Sequence, residues 1–210
     1  LLYVQKIFAI YKDVVIKGNR GTCGSNVFRF NDLDKFKEFY MSLKRKNGSF
    51  SICPYYKIKN EFRVIVLNNK VEVLYKKELP MVKGTGKAKI KELLEEFNYE
   101  YFKNINDEKL NVVLKDQEEY VYNWKFNLSR GARASFDVGE YDKANIMQII
   151  GKMFANLHFG FCSIDIIKTF DGKYLVMEVN SGVMMKNLIK EKIDGRDIAK
   201  EVYKKAILDL

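Results

Sequence analysis

The stretch 160–182, GFCSIDIIKTFDGKYLVMEVNSG, constrains this chain more than any other. Cys162–Ile167 and Tyr174–Asn180 are apolar, β-branched runs, and Asp171-Gly172 between them is the dipeptide a two-residue type I′ turn prefers. A β-hairpin is therefore predicted. With Asp171 and Gly172 as the turn, Asp165 lies directly opposite Glu178, and Asn180, two residues on, shares the Glu178 face. Two carboxylates facing each other amid apolar strands repel unless positive charge lies between them. A hard cation is the economical answer. The all-oxygen set of Asp165, Glu178 and Asn180 suits Mg2+, which completes its octahedron with water and substrate phosphates, so a nucleotide is implied. On this reading Asp165→Asn or Glu178→Gln relieves repulsion and leaves the fold intact. The alternative is a solvated sheet face that carries paired carboxylates.

The 210 residues suffice for one sizeable core or two small lobes. With 47% apolar and 14% aromatic residues the chain is globular rather than disordered. It contains no run of 18 apolar residues, so no membrane span is expected. The opening LLYVQKIFAIYKDVV has neither an initiator Met nor a signal-peptide cleavage pattern and reads as part of a longer protein. Cys23, Cys53 and Cys162 are odd in number and far apart, without a CxxC and with a single histidine, His158. A disulfide framework or zinc site is not expected, and a reducing cytoplasm fits. The net charge of +10 favours polyanions. Its lysines and arginines are scattered, with no arginine-rich arm or helix-turn-helix, so nucleotide phosphates are the expected partner rather than nucleic acid.

Along the chain, residues 2–10 predict a short helix and Asp13–Lys17 a buried strand ending in a lysine. GNRGTCGSNVF follows, with Gly18, Gly21 and Gly24 able to fold backbone amides around an anion; no Gly-Lys-Ser/Thr follows, so it is not a Walker loop. Residues 31–46 predict an amphipathic helix that Asn47-Gly48 ends, closing a small lobe. Then come a strand at 49–56, a hairpin of EFRVIVL and KVEVLYKK about an Asn68-Asn69 turn, and a loop at 80–86. A helix is expected at 87–97, strands at 109–114 and 120–126, and a polar break at Asn127–Gly131. The best helical pattern runs from Tyr141 to a Gly160 cap, with Ile146, Ile149, Ile150, Met153, Phe154 and Leu157 inward. A loop with a short helix follows the central hairpin, and residues 197–210 close the chain as a helix.

With these residues placed, the chain resembles the ATP-grasp superfamily, and within it the carboxylate-amine ligases such as cyanophycin synthetase, glutathione ligases and the ribosomal-protein glutamate ligase. Five points match in order over nearly the whole chain: DVVIK with its glycine-rich stretch, SICPYY, EFRVIVLNNKV, VKGTGKAKIKELLEEFN, and NLSRGA followed by SIDII and LVMEVNSG. The resemblance implies an α+β fold in which two lobes, 1–48 and 49–210, grip a nucleotide between antiparallel sheets, with a preceding N-terminal domain absent from this chain. It implies that Lys17 contacts the nucleotide phosphates under a lid of Gly18, Gly21, Thr22, Gly24 and Ser25. Cys53, Pro54 and Tyr55 would be the hinge that reads adenine, although Pro54 has no N–H to offer. Glu61 would hold the ribose, Arg63, Asn127 and Arg130 would face the γ-phosphate or the activated acyl group, and Asp165, Glu178 and Asn180 would hold Mg2+, for which Mn2+ can substitute. Lys76 or Lys77 lies near a basic position of some relatives. The implied activity is ATP-dependent joining of a carboxylate to an amine through an acyl phosphate, releasing ADP and phosphate. A kinase-like phosphotransferase and a non-catalytic nucleotide-binding module are the alternatives.

Overall fold

The computed structural model describes residues 2–18, 26–45, 49–95, 97, 102 and 105–208. Two compact units divide the chain, Leu1–Lys57 and Ile58–Leu210. In the first, helix α1 (Leu2–Tyr11) leads into strand β1 (Val14–Gly18), then β2 (Val27–Phe30), helix α2 (Leu33–Arg45) and β3 (Phe50–Pro54). β1 is the centre of an antiparallel sheet ordered β2-β1-β3. Alternation sorts its faces: Val14 and Ile16 are fully buried against Phe36 of α2, while Lys17 stands on the Val15 face, opposite Val27 and Ser51. Asp32 Oδ1 accepts the amides of Asp34 and Lys35 and so caps α2. The unit runs to Lys57 rather than ending after Gly48, because β3 pairs along the length of β1.

The second unit opens with a hairpin of β4 (Ile58–Leu67) and β5 (Lys70–Glu78). Its turn residues Asn68 and Asn69 both take the positive φ that a type I′ turn needs, 47° and 56°. There follow β6 (Met81–Lys83), the single-turn helices α3 (Ile90–Leu93) and α4 (Asp107–Leu110), β7 (Glu119–Val121), a 3₁₀ turn at Leu128–Arg130 and β8 (Arg133–Ser135). Helix α5 (Glu140–Phe154), strands β9 (Phe161–Thr169) and β10 (Tyr174–Asn180), and helices α6 (Lys186–Glu191) and α7 (Gly195–Leu208) complete it. The main sheet is antiparallel, in the order β10-β9-β4-β5-β8, and β6 pairs with β7 separately.

One face of the main sheet packs Phe62, Val64, Val66, Cys162, Ile164 and Ile166 against Ile146 and Ile150 of α5. Burial of side chains this size is worth about 1.5–3 kcal/mol each, enough to fix the register of both central strands. On the other face Ile65, Val73, Tyr75 and Ala134 lie under Leu188 of α6 and Ala199 and Val202 of α7. That apolar cover meets a polar set on the same face, described below.

Several expectations fail for identifiable reasons. The helix expected at 87–97 is one turn, with its Leu94 amide bonded back to Ile90 O and Lys91 O. The strand expected at 109–114 begins instead as α4, capped by Asn106 Oδ1, and keeps only a bridge from Val113 to Lys89. The strand expected at 120–126 is Glu119–Val121, and β6 and β8 stand where loop was expected. Helix α5 stops at Phe154, six residues short of Gly160, because the β4–β5 turn takes over its end. Asn69 Nδ2 donates to Leu157 O (3.2 Å), and Asn69 Oδ1 accepts the Phe159 amide (2.6 Å). No helix among the described residues is long and apolar enough to cross a membrane.

Candidate active site

The central hairpin forms, though by a different turn from the one expected. The Thr169 amide donates to Lys173 O (2.9 Å) and the Gly172 amide to Thr169 O (3.0 Å), which makes Phe170, Asp171 and Gly172 a three-residue loop with Gly172 at φ 83°. From this loop Tyr174 pairs with Lys168, Leu175 with Ile167 and Val176 with Ile166. Continued unbroken, that register would set Met177 opposite Asp165 and turn Glu178 to the other face. A bulge between Val176 and Glu178 absorbs one residue, so that Glu178 faces Asp165 and Asn180 faces Ser163.

Across β9, β4 and β5 the same row continues as Asp165, Arg63 and Tyr75, and Glu61 faces Lys77 one step along. Arg63 Nε donates to Asp165 Oδ1 and Arg63 Nη2 to Asp165 Oδ2, both at 2.8 Å, a two-pronged pair. Lys77 Nζ donates to Asp165 Oδ2 (2.9 Å) and to Glu61 Oε1 (2.6 Å). Tyr75 stands across the strands from Arg63. Asp165 and Lys77 are each only 3% exposed. Burial pushes the Asp165 carboxyl up, but the Arg63 bonds and the Lys77 charge outweigh it and hold it below the ordinary carboxylate range. Burial raises the Glu61 carboxyl, and Lys77 offsets this only in part. Burial lowers Lys77, and Glu61 and Asp165 reverse the direction, leaving its ammonium firmly charged.

Asp165 thus has positive partners within the protein, Arg63 and Lys77, on strands that lie on the other side of β9 from Glu178. Glu178 is exposed, accepts a bond from Asn180 Nδ2 (3.0 Å), and has no ion-pair partner among the described residues. Glu178 Oε2 and Asn180 Oδ1 beside Asp165 form an oxygen donor set that fits a hard cation in kind. Among the described residues no three His, Cys, Asp or Glu side chains cluster as a metal site, so the amide of Asn180 is needed to complete the set.

Tyr75 and Lys77 are the members that sequence reasoning missed or left undecided. The Asn68-Asn69 turn alone would pair Glu61 with Lys76. The register of β4 and β5 shifts between Ile65 and Val66, leaving Glu72 unpaired in the ladder and bringing Lys77 opposite Glu61. Glu72 is spent on Lys205 of α7 (2.9 Å), and Lys76 turns to the opposite face, where it pairs with Glu78 (3.1 Å).

Asn127 Oδ1 accepts the Ser129 amide (2.9 Å) and caps the 3₁₀ turn that carries Arg130, and Gly131 ends the turn at φ 93°. Leu128 packs on the core that contains Tyr75, which ties this turn to the sheet face bearing Arg63. Lys125 is half-buried near Arg130, and burial and then the Arg130 charge lower its pKa.

In the first unit Lys17 lies near Cys53, whose thiol burial pushes up against the opposing Lys17 charge. The Gly18 amide donates to Asn26 O (2.9 Å) and closes the base of the glycine-rich stretch; Gly21, Thr22, Gly24 and Ser25 lie outside the described residues. The Tyr55 amide donates to Asp13 O (2.9 Å), and Arg29, paired with Asp13, lies 3.5 Å over the Tyr55 ring. Of the hinge residues, Pro54 has no N–H and Tyr55 has already committed its own.

No protein-family model and no curated protein matches the chain. Among solved structures it is similar to D-alanine–D-alanine ligase from Bacillus anthracis, at 13% identity and a TM-score of 0.58, over 97% of this chain and 57% of that one. It is similar to a bifunctional glutathione synthetase from Pasteurella multocida, at 16% identity and a TM-score of 0.50, over 96% of this chain and 33% of that one. It is also similar to the ATP-grasp ligase PsnB complexed with minimal precursor, at 12% identity and a TM-score of 0.50, over 96% and 52%. The chain thus spans between a third and somewhat over half of the length of these proteins.

Proposed function

From the ATP-grasp fold of this chain we propose that it performs ATP-dependent joining of a carboxylate to an amine, with an acyl phosphate formed first and ADP and phosphate released. The observation that carries the proposal is the row Glu178, Asp165, Arg63 with Lys77 beside it. A carboxylate is a poor electrophile. Phosphoryl transfer gives it a good leaving group, and that transfer needs charge stabilisation and positioning more than a nucleophilic side chain.

In the second unit Asp165, Glu178 and Asn180 would hold Mg2+, which would supply positive charge to neutralise phosphate oxygens. Arg63 and Arg130 offset charge on the transferring phosphoryl group, Asn127 fixes the turn that presents Arg130, and Glu61 orients the ribose. In the first unit Lys17 and the stretch Gly18–Ser25 handle phosphates, and Cys53–Tyr55 border the base. The partners would be ATP, an amino-acid or peptide carboxylate, and an amine.

Hydroxylamine tests this reading, since it stands in for the amine and converts an acyl phosphate to a hydroxamate. The chain, with ATP, Mg2+ and a panel of amino acids and short peptides, is expected to give ADP, free phosphate and a hydroxamate with at least one carboxylate. A phosphorylated product without free phosphate would mark a kinase instead. Nucleotide binding without turnover of any panel member would mark a binding module.

A further inference from the structure

The Lys77 ammonium gives Asp165 a positive partner within the protein. It bonds one oxygen of Asp165 and one of Glu61, and Asp165 Oδ2 accepts from both Lys77 Nζ and Arg63 Nη2. The four charges, Glu61 and Asp165 against Arg63 and Lys77, cancel, with Asp165 and Lys77 buried and Glu61 and Arg63 partly so. Glu178, exposed and facing Asp165, is left as the uncompensated negative group at the edge of the set.

We propose that Lys77 is the resident counter-ion of Asp165 when no metal is bound, and that a divalent cation gains Asp165 by taking over the Oδ2 position now bonded to Lys77 Nζ. This rests on the reading of Asp165, Glu178 and Asn180 as the cation site. The geometry favours such an exchange over simple addition. Asp165 Oδ2 already accepts two bonds and the side chain is almost wholly buried, so a cation arriving at Glu178 and Asn180 reaches that oxygen only if one of the two is given up. Of the two donors Lys77 is the one that can leave. Its shorter bond, 2.6 Å, goes to Glu61, so on releasing Asp165 the ammonium keeps a carboxylate partner and is not stranded in a low-dielectric surround. Arg63, held by two parallel bonds in a fixed fork, has no such second carboxylate among the described residues. Lys77 is accordingly a positioning residue. It keeps Asp165 charged and in place before the cation arrives, at the cost of weakening cation affinity.

The test is Mn2+ binding without nucleotide, with free Mn2+ followed by electron paramagnetic resonance, on the wild-type chain and on Lys77→Met. Removing the competing charge is expected to tighten Mn2+ binding by about tenfold, since a unit charge a few ångströms away in a poorly screened site acts strongly. Because Lys77→Met leaves two buried carboxylates to Arg63 alone, the charge-balanced double variant Glu61→Gln, Lys77→Met is measured beside it and is expected to tighten in the same direction. Wild-type binding with no tightening in either variant would overturn the exchange and leave the cation site standing. Absence of Mn2+ binding in all three proteins would overturn the site and the exchange together. Tightening that disappears when Glu178→Gln is added would support both.

Discussion

Glu178 stands opposite Asp165 because two irregularities of one residue each cancel: the loop 170–172 is one residue longer than a tight turn, and the bulge before Glu178 takes up one residue in β10. Either alone would turn Glu178 to the face that packs against α5, away from Asp165. The two features therefore act as a pair that brings both carboxylates to one face.

Gly172 bears this out in a testable way. It sits at φ 83°, and a Cβ added there would meet nothing within 4 Å, so the cost of Gly172→Ala is backbone strain alone. A loss of about 1 kcal/mol in urea unfolding is expected, with Gly172→Asn costing less because Asn tolerates the left-handed region better. Equal stability of the Ala variant and the wild type would mean that the three-residue loop is not held in this conformation.

What the sequence made legible follows from where periodicity and turn chemistry act unaided. The Asn68-Asn69 turn, the alternation of EFRVIVL and the stripe Ile146–Ile150 placed the sheet core and its helix. Asp165 and Glu178 were paired correctly from an incorrect turn, because the bulge made up the difference. The same kind of shift one hairpin earlier, at Glu72, hid Lys77: a bulge leaves no periodic trace, and the choice between Lys76 and Lys77 depended on it. The segment 80–126 was read poorly because its elements are three or four residues long and rest on a small core of Val82, Ile90, Leu94, Leu110, Leu114 and Tyr122. Elements so short carry no full period of either pattern. Helix α5 was overextended because the Asn69 side chain, distant in sequence, supplies its end.

Asp142 fastens the start of α5 to the hairpin. Its Oδ1 accepts from Lys168 Nζ (2.6 Å) and from the Tyr174 hydroxyl. Burial raises its carboxyl, and these two bonds outweigh burial and hold it below the ordinary Asp value. A carboxyl lowered by folding contributes stability that is fully present above the unfolded-state value and lost as pH falls through the folded one. The stability gap between wild type and Asp142→Asn is therefore expected to be constant from pH 7 down to about 4 and to close below it. The difference in urea midpoints at pH 6 and pH 3 measures this, and a gap that widened toward pH 3 would contradict it.

Gly131 is a harsher position than Gly172. It has φ 93°, and a Cβ there would overlap the Tyr122 hydroxyl and crowd Pro80. Gly131→Ala is expected to cost about 3 kcal/mol or more, from strain and displacement of Tyr122 together. Trimming that hydroxyl in Gly131→Ala, Tyr122→Phe should recover part of the loss but not the strain. Because Arg130 immediately precedes Gly131, hydroxamate formation should fall in the single variant beyond what lost stability explains.

The two hairpin carboxylates should respond in opposite ways to neutralisation. Their mutual repulsion suggested that Asp165→Asn would spare the fold, but Asp165 is the shared anion of Arg63 and Lys77, and without it the buried set carries a net positive charge. Removing one partner of a buried ion pair costs about 3–5 kcal/mol, and the asparagine amide restores only part of the bonding, so Asp165→Asn is expected to lose about 2–4 kcal/mol. Glu178 is exposed, has no ion-pair partner among the described residues and adds unrelieved negative charge beside Asp165, so Glu178→Gln is expected to leave stability unchanged or slightly raised while lowering Mn2+ affinity. Charge balance assigns the further change. Asp165→Asn combined with Lys77→Gln removes one charge of each sign and should be more stable than Asp165→Asn alone, a coupling that a double-mutant cycle in urea reads directly. Strict additivity of the two substitutions would show that Lys77 and Asp165 are not partners in the folded chain.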